Sequence, residues 1–218
     1  MKRIMFNDKY GLTQAVLEGR KTMTRMIVKG LDENSDVSEW RLDKKSPYII
    51  DYNDPLEKEF RPMYQVGDVV AIAQNYKDAG WNADELQQTF VRKPTLFPDL
   101  DEQCELSGWI DLPFKYHKGW NNKMLAHPGL MPHHIKISDI KVERLQDISE
   151  NECLREGIGT FKSPYYFDPC YYLPIVGDKV QYYNTPREAF AALINKVLGK
   201  GTWNKNPLVF VYSFELID

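Results

Sequence analysis

The stretch that decides the fold is His133-His134-Ile135-Lys136-Ile137-Ser138-Asp139-Ile140-Lys141-Val142-Glu143-Arg144-Leu145. Ile135 and Ile137 alternate with polar residues, and Ile140 and Val142 alternate in the opposite phase. Alternation with a period of two predicts a half-buried β-strand. The change of phase at Ser138-Asp139 predicts a bulge or a sharp bend, as barrels use at their corners. This stretch therefore predicts one long, bent strand.

Shorter apolar stretches on either side predict the strands that accompany it. They cover residues 2–6, residues 69–73 after the Gly67-Asp68 turn, and residues 208–217. In the last stretch the aromatic residues recur at every second position, which is typical of a strand with one buried face. We expect the bent strand to pair with residues 207–217 or with residues 68–74 in a closed or nearly closed sheet, since closure removes exposed edges.

Capping signals predict three helices. The first follows the apolar spacing from residue 12 onward and ends at Gly19, which suits a left-handed cap. The second begins at the capping box of Ser149 and Glu152 and ends at Gly157. The third begins at Thr185-Pro186-Arg187-Glu188, which combines an N-cap, a first-turn proline and a capping-box glutamate, and ends before Gly199.

The remaining residues are predicted to be loops and insertions. Residues 20–25 are interpreted as a loop that leaves the first helix, with a strand beginning at Met26. Residues 30–66, 77–125 and 159–184 are rich in polar residues, proline or tyrosine and are interpreted as three loop-rich insertions. The order of elements predicts an α+β protein, a single domain over residues 1–218 built on a small mixed β-barrel with flanking helices. A regular βαβ parallel sheet fits this order less well.

Composition narrows the class of protein. The 218 residues are 43% hydrophobic and 27% charged, with 28 basic and 31 acidic residues, so the net charge is −3. These values exclude a disordered chain, a collagen and a coiled-coil rod. Three cysteines with no close pair argue against a disulfide scaffold and point to a reducing cytoplasm. No apolar run is long enough to span a bilayer, and the first residues do not resemble a signal peptide.

The charges are unevenly distributed along the chain. Residues 1–30 hold seven basic and two acidic residues, and residues 116–146 hold five and two, together with all four histidines. Acidic stretches separate these two basic segments. If the segments meet in the fold, they form a surface for an anionic ligand; the alternative is two solvated faces without a partner.

The basic run Arg20-Lys21-Thr22-Met23-Thr24-Arg25 offers three cations and two hydroxyls. A lysine beside a hydroxyl acts as its base if burial lowers the lysine pKa; the alternative is a solvated basic turn. The sequence contains no glycine-rich phosphate loop, no Gly-x-Ser-x-Gly elbow and no Cys-x-x-Cys pair. The spacing of the histidines matches no standard zinc site, so we expect neither a metal nor another cofactor.

Four motifs together resemble the ASCH-domain proteins, a PUA-like family, and in particular their phage and prophage branch in Bacteroides-type bacteria. The motifs are Gly19-Arg20-Lys21-Thr22-Met23-Thr24-Arg25, Gly67-Asp68-Val69-Val70, residues 142–158, and Trp203-Asn204 followed by Pro207-Leu208-Val209-Phe210. The resemblance implies a small β-barrel related to RNA-binding PUA domains, with a cleft beside the Lys21–Thr24 loop. One branch of the family is the bacterial 4-acetylcytidine amidohydrolases.

For a hydrolase of that branch, the resemblance implies a catalytic set of Lys21, Thr24 and Glu156. Thr24 would be the nucleophile, Lys21 its activator, and Glu156 an acid/base or positioning group. A hydroxyl that attacks an acetyl carbonyl, with a cation to stabilise the negative charge, is sound chemistry for amide hydrolysis. As ligand-binding residues we select Arg20, Arg25, Asn75, Tyr76 and His133.

Three functions remain open at this point. The first is a PUA-like domain that binds RNA or a modified nucleoside, with phosphate contacts from the basic segments and base stacking on the tyrosine-rich insertion. The second is an amidohydrolase that deacylates a nucleoside of the 4-acetylcytidine type. The third is a non-catalytic phage accessory protein that acts by protein–protein contact. Convergence of Lys21, Thr24 and Glu156 in one open, nucleoside-sized pocket favours the second function over the third, whereas a structural Lys–Glu pair needs no pocket. A continuous positive groove that runs past the pocket favours the first function.

Overall fold

The structure is a computed structural model that describes residues 1–31, 40–43, 46–51, 54, 58–92, 118–162, 169–173 and 180–218. These residues form eleven strands: β1 Arg3–Ile4, β2 Met23–Ile27, β3 Trp40–Asp43, β4 Ser46–Asp51, β5 Lys58–Phe60, β6 Val69–Ile72, β7 His134–Arg144, β8 Gly159–Phe161, β9 Cys170–Tyr172, β10 Tyr182–Tyr183 and β11 Leu208–Leu216. They also form five α-helices: α1 Leu12–Leu17, α2 Ala83–Arg92, α3 Glu150–Arg155, α4 Pro186–Val197 and α5 Thr202–Lys205. The protein is therefore of the mixed α+β class, as its sequence predicts.

The chain divides into two compact units. One comprises residues 7–68 and 135–217, and is called the main unit below. The other comprises residues 1–6, 69–134 and 218, and is called the small unit below.

The main unit is built on the antiparallel strands β7, β11 and β2. β11 lies in the middle and pairs with β7 on one side and with β2 on the other. The predicted pairing of the bent strand with the terminal strand is therefore confirmed. The register passes from Ser213 opposite Asp139 to Phe214 opposite Ile137, so Ser138 is the extra residue of a bulge. This bulge lies where the hydrophobic alternation changes phase, as predicted.

The predicted helix ends of the main unit are also present. Gly19 follows α1 with φ +71°, and Gly157 follows α3 with φ +101°; both values favour glycine. Ser149 and Glu152 form the capping box of α3. Thr185 caps α4, which has proline in its first turn. The Ser149 and Thr185 side chains stabilise the starts of their helices, because each accepts from an N–H group that has no partner inside the helix.

Several elements differ from the sequence prediction. β2 begins at Met23, three residues earlier than predicted, because pairing with β11 extends it. The first insertion contains the antiparallel sheet β3–β4–β5, and the third contains the antiparallel sheet β8–β9–β10. The short helix α5 was not predicted. The strands of these two small sheets are too short to show a clear hydrophobic period in the sequence, and hydrogen bonds to their partner strands stabilise them.

The small unit contains the parallel pair β1 and β6, which confirms both predicted strands. Its core gathers around Tyr76, with Leu86, Ala126, Leu130 and Met131. Trp81 donates its indole N–H to the carbonyl of Leu130 at 2.8 Å. The second predicted insertion contains α2, and its residues 93–117 lie outside the described part of the chain. Of the helices that the structure describes, none combines the length and the apolar character required to cross a bilayer.

Candidate functional site

The register of the main sheet determines which side chains share a face. Val211 of β11 lies between Arg25 of β2 and Lys141 of β7. In the next row Val209 lies between Ile27 and Glu143. Because directly paired residues of an antiparallel sheet point to the same side, the charged residues of β2 and β7 project from one face.

Lys21 lies just before β2 and extends toward the end of α3. Its ammonium donates to a carboxylate oxygen of Glu156 at 2.6 Å, to the backbone carbonyl of Glu156 at 2.9 Å and to that of Met23 at 2.7 Å. The Lys21 side chain is 2% exposed and that of Glu156 is 5% exposed. The structure therefore brings together two of the three residues proposed as catalytic, in a contact sealed from solvent.

Arg25 binds the same carboxylate and extends the arrangement. Its guanidinium lies 2.9 Å from the second oxygen of Glu156, 2.6 Å from Glu143 and 3.1 Å from Glu152. Lys141 then contacts Glu143 and Glu152, each at 2.6 Å. We call these six residues the ionic cluster: Lys21, Arg25, Lys141, Glu143, Glu152 and Glu156. Three cations face three carboxylates, so the ionic cluster carries no net charge.

Burial and charge act in opposite directions on the pKa values in the ionic cluster. Desolvation lowers the pKa of Lys21 below its ordinary value, although the attraction and hydrogen bond of Glu156 oppose this change. Burial by itself raises the pKa of Glu152, but hydrogen bonds from Lys141 and Ser149 and the charge of Arg25 outweigh it and lower the value to about 2. Glu152 is therefore ionised at neutral pH.

Thr24 lies on the opposite face of the same sheet. It alternates along β2 with Met23 and Arg25 and pairs with Tyr212 of β11. Tyr212 accepts a hydrogen bond from the backbone N–H of Met63 at 3.0 Å and packs edge-on against Tyr64. Since Glu156 binds on the Arg25 side, the strand separates the Thr24 side chain from the Lys21–Glu156 contact. The third proposed catalytic residue is thus not brought to the other two.

The two arginines selected for ligand binding differ in their surroundings. Arg20 is exposed and pairs with Glu18, its guanidinium lying 2.6 Å from the carboxylate. Arg25 is sealed inside the ionic cluster. Of the two, only Arg20 offers its guanidinium to a ligand in this conformation, since an exposed ion pair exchanges readily with solvent.

The other selected residues, Asn75, Tyr76 and His133, belong to the small unit. Asn75 donates its amide to the carboxylate of Asp78 at 2.8 Å and accepts from the backbone N–H of Asp78 at 2.8 Å. Tyr76 is fully buried, and its hydroxyl accepts from the backbone N–H of His127 at 2.9 Å. His133 Nδ1 lies 3.3 Å from the backbone oxygen of Asp218. Asn75 and Tyr76 thus hold a turn and a core in place.

Sequence reasoning did not include Lys141, Glu143 or Glu152 in the site. A signal was present for two of them, because Lys141 and Glu143 alternate on one face of the bent strand. Glu152 was recognised as a capping residue, and it does cap α3 while also binding Arg25 and Lys141. Among the described residues, no group of three or more His, Cys, Asp or Glu side chains is arranged to hold a metal ion.

No protein-family model, no curated protein and no solved structure matches this chain.

Proposed function

We propose that this chain is a PUA-like binding protein of the ASCH type, with a small β-barrel, whose ligand is RNA or a modified nucleoside bound beside the Lys21–Thr24 segment. In this proposal Lys21 and Glu156 are positioning residues that hold the loop in place. The observation that favours binding over catalysis is the sealed Lys21–Glu156 contact, since a catalytic pair opens to its substrate whereas a structural pair is sealed.

Further contacts support a positioning role for the ionic cluster. The backbone N–H of Lys21 binds the carbonyl of Ala15 in α1 at 2.8 Å, and that of Thr22 binds the carbonyl of Arg155 in α3 at 2.9 Å. Arg155 in turn donates to the Thr22 hydroxyl at 3.1 Å. The loop is therefore fastened to two helices and to the ionic cluster, which fixes the residues that remain at its surface.

The distribution of exposed cations supports an anionic ligand. Val28 donates its N–H to the carbonyl of Leu208 at 3.0 Å, and Leu208 pairs with Arg144 across the sheet. Lys29, which follows Val28, and Arg144 are both exposed. One cation from each basic segment thus flanks the same end of β11, an arrangement that favours phosphate. The antiparallel β7–β11–β2 sheet with its bulge supports the barrel part of the proposal.

The test of binding uses one exposed ion pair as its own control. Short RNAs and modified nucleosides are titrated into the wild type, Arg20→Gln and Glu18→Gln. We expect Arg20→Gln to weaken RNA binding and to reduce the salt slope by about one, as expected for the loss of one phosphate contact. Glu18→Gln releases Arg20 and leaves binding equal or tighter. If Arg20→Gln and Glu18→Gln both bind as the wild type does, the loop is not the binding site.

A second candidate function is the amidohydrolase, and one observation favours it. Desolvation lowers the pKa of Lys21, which increases the fraction of neutral amine that a general base requires. The assay is deacetylation of 4-acetylcytidine by the wild type, Thr24→Val and Thr24→Ser. Turnover that is lost in Thr24→Val and retained in Thr24→Ser would establish Thr24 as the nucleophile. No turnover by the wild type, or full turnover by Thr24→Val, would exclude this mechanism.

A further inference from the structure

The sheet β8–β9–β10 in the main unit carries aromatic rings on one face. Tyr172 pairs with Gly159 on one side and with Tyr182 on the other, and Phe161 follows two residues after Gly159. Paired residues and residues two apart share a face, so Phe161, Tyr172 and Tyr182 project to the same side. We call these three residues the aromatic face. Its rings touch, with centroids 6.4 Å apart for Phe161 and Tyr182 and 6.1 Å apart for Tyr172 and Tyr182.

The aromatic face is open to solvent although its residues are large and apolar. Phe161 is 48% exposed and Tyr182 is 55% exposed. The sheet packs on α4, and since Phe161 and Tyr182 are open, the helix covers the other face, which bears Tyr171 and Tyr183. Rings whose burial would be favourable are thus displayed together, and contiguous exposed apolar surface of this kind marks a binding site.

The ring of Tyr172 is held in place by a glycine. A Cβ atom on Gly159 would lie 2.4 Å from the ring carbon that bears the Tyr172 hydroxyl, which is far closer than real contacts allow. Only glycine therefore permits Tyr172 to lie flat across β8 and meet Tyr182 edge-on. The orientation of the rings is built into the backbone at residue 159.

Two cations flank the strands that bear the aromatic face, next to Phe161 and Tyr182 along the chain. Lys162 is exposed and directly follows Phe161. Lys196 of α4 donates to the side-chain amide of Gln181, the residue before Tyr182, at 3.2 Å. Strands β8, β9 and β10 themselves carry no carboxylate. Aromatic rings with flanking ammonium groups match a polymer of flat bases joined by phosphates.

We propose that the aromatic face is a stacking platform for the unpaired bases of single-stranded nucleic acid. This inference rests on the proposed function and deepens it, since it names single strands as the ligand and adds a second contact site. Sheet-borne aromatic rings in RNA-binding domains stack two or three bases in this way. The Tyr182 ring contacts both Phe161 and Tyr172 and is the most exposed of the three, so it is the main contact.

The test compares variants that remove only the ring with variants that keep it. The wild type, Tyr182→Leu, Tyr182→Phe, Phe161→Leu and Phe161→Tyr are each titrated into labelled oligonucleotides eight nucleotides long. The oligonucleotides are made of uridine or adenosine, as RNA and as DNA, and binding is followed by fluorescence anisotropy. We expect each leucine variant to bind about ten-fold more weakly, and each aromatic variant to bind within about two-fold of the wild type. Both residues are half-exposed, so all four variants should keep the thermal midpoint of the wild type.

Two further comparisons identify which nucleic acid binds and separate failure of the platform from failure of the proposed function. Equal binding of RNA and DNA supports stacking alone, and preference for RNA adds a contact to the 2′-hydroxyl; both outcomes support the platform. Double-stranded RNA that competes as well as a single strand would overturn it, as would loss of self-association instead of nucleic-acid binding in Tyr182→Leu. If Arg20→Gln weakens binding while both leucine variants bind normally, the platform is wrong and the proposed function stands. If the wild type binds no nucleic acid and no nucleoside, both proposals fail.

Discussion

Replacing Lys21 with methionine is the sharpest test of the ionic cluster. Methionine has a similar length but carries neither charge nor hydrogen-bond donors. The change leaves Glu156, buried with 5% of its side chain exposed, without its 2.6 Å partner, and it leaves the Lys21 bonds to the carbonyls of Met23 and Glu156 unmade. Removing one partner of a buried ion pair costs about 3–5 kcal/mol, and the loss here lies at the lower end, about 3 kcal/mol, because Arg25 still binds Glu156 at 2.9 Å. We expect Lys21→Met to reduce the free energy of unfolding by about that amount.

A second substitution separates the ion pair from general damage to the core. Glu156→Gln alone leaves Lys21 and Arg25 with one positive charge in excess in the ionic cluster. The double variant Lys21→Met with Glu156→Gln restores the charge balance. We therefore expect the double variant to lose less than the sum of the single losses, with a coupling energy of about 1–3 kcal/mol.

The measurement is urea denaturation followed by circular dichroism, with all variants compared at one pH. The control is the neighbouring exposed pair, Arg20 and Glu18, whose side chains are 44% and 43% exposed. Arg20→Met and Glu18→Gln should each leave the free energy of unfolding close to that of the wild type, since an exposed ion pair contributes little. A loss below about 1 kcal/mol for Lys21→Met, or strict additivity in the double variant, would refute the positioning role.

Further outcomes follow from the same contacts. Because the folded-state pKa of Glu152 lies at about 2, below its ordinary 4.5, its contribution is complete above pH 4.5 and is lost as the pH falls toward 2; Glu152→Gln should flatten this part of an acid-unfolding curve, by at most about 3 kcal/mol. Gly157→Ala should lower the unfolding free energy by about 1–3 kcal/mol, since φ is +101° and a Cβ would lie 3.3 Å from Leu12; Gly19→Ala, with φ +71° and open space around it, should cost less in the same denaturation assay. Peptide mapping after treatment with a thiol reagent should find Cys170 modified and Cys153 protected, because Cys153 is fully buried and burial raises its pKa to about 12; modification of Cys153 at the rate of Cys170 would contradict its burial. Lys29→Gln together with Arg144→Gln should weaken RNA binding at low salt and reduce the salt slope, whereas Lys58→Gln on the separate β3–β5 sheet should not.

The sequence predicted the elements whose signals are local. The bulge at Ser138 was visible because a strand with one buried face must change its hydrophobic phase when a residue is inserted. The caps at Ser149 and Thr185 and the turn at Gly157 were visible because unpaired N–H groups and a positive φ favour particular residue types. The small sheets β3–β5 and β8–β10 were interpreted as loops, since strands of two to six residues acquire their order from partners distant in sequence.

The motifs that resemble the ASCH family group Lys21, Thr24 and Glu156 in one set, and the structure brings Lys21 into contact with Glu156. What only the tertiary structure decided is how the residues around it are arranged. Lys141 and Glu143 joined the site because β7 projects them from the same face as Arg25, and Glu152 joined it because α3 lies against that face; no spacing along the chain encodes this. Thr24 is three residues from Lys21 in sequence, yet strand pairing with Tyr212 turns its side chain to the opposite face of the sheet. The sequence thus determines which residue types are available, whereas strand register and burial determine which side chains come into contact. Register does so because side chains alternate across a strand, and burial does so because a charged group removed from water is stable only beside an opposite charge.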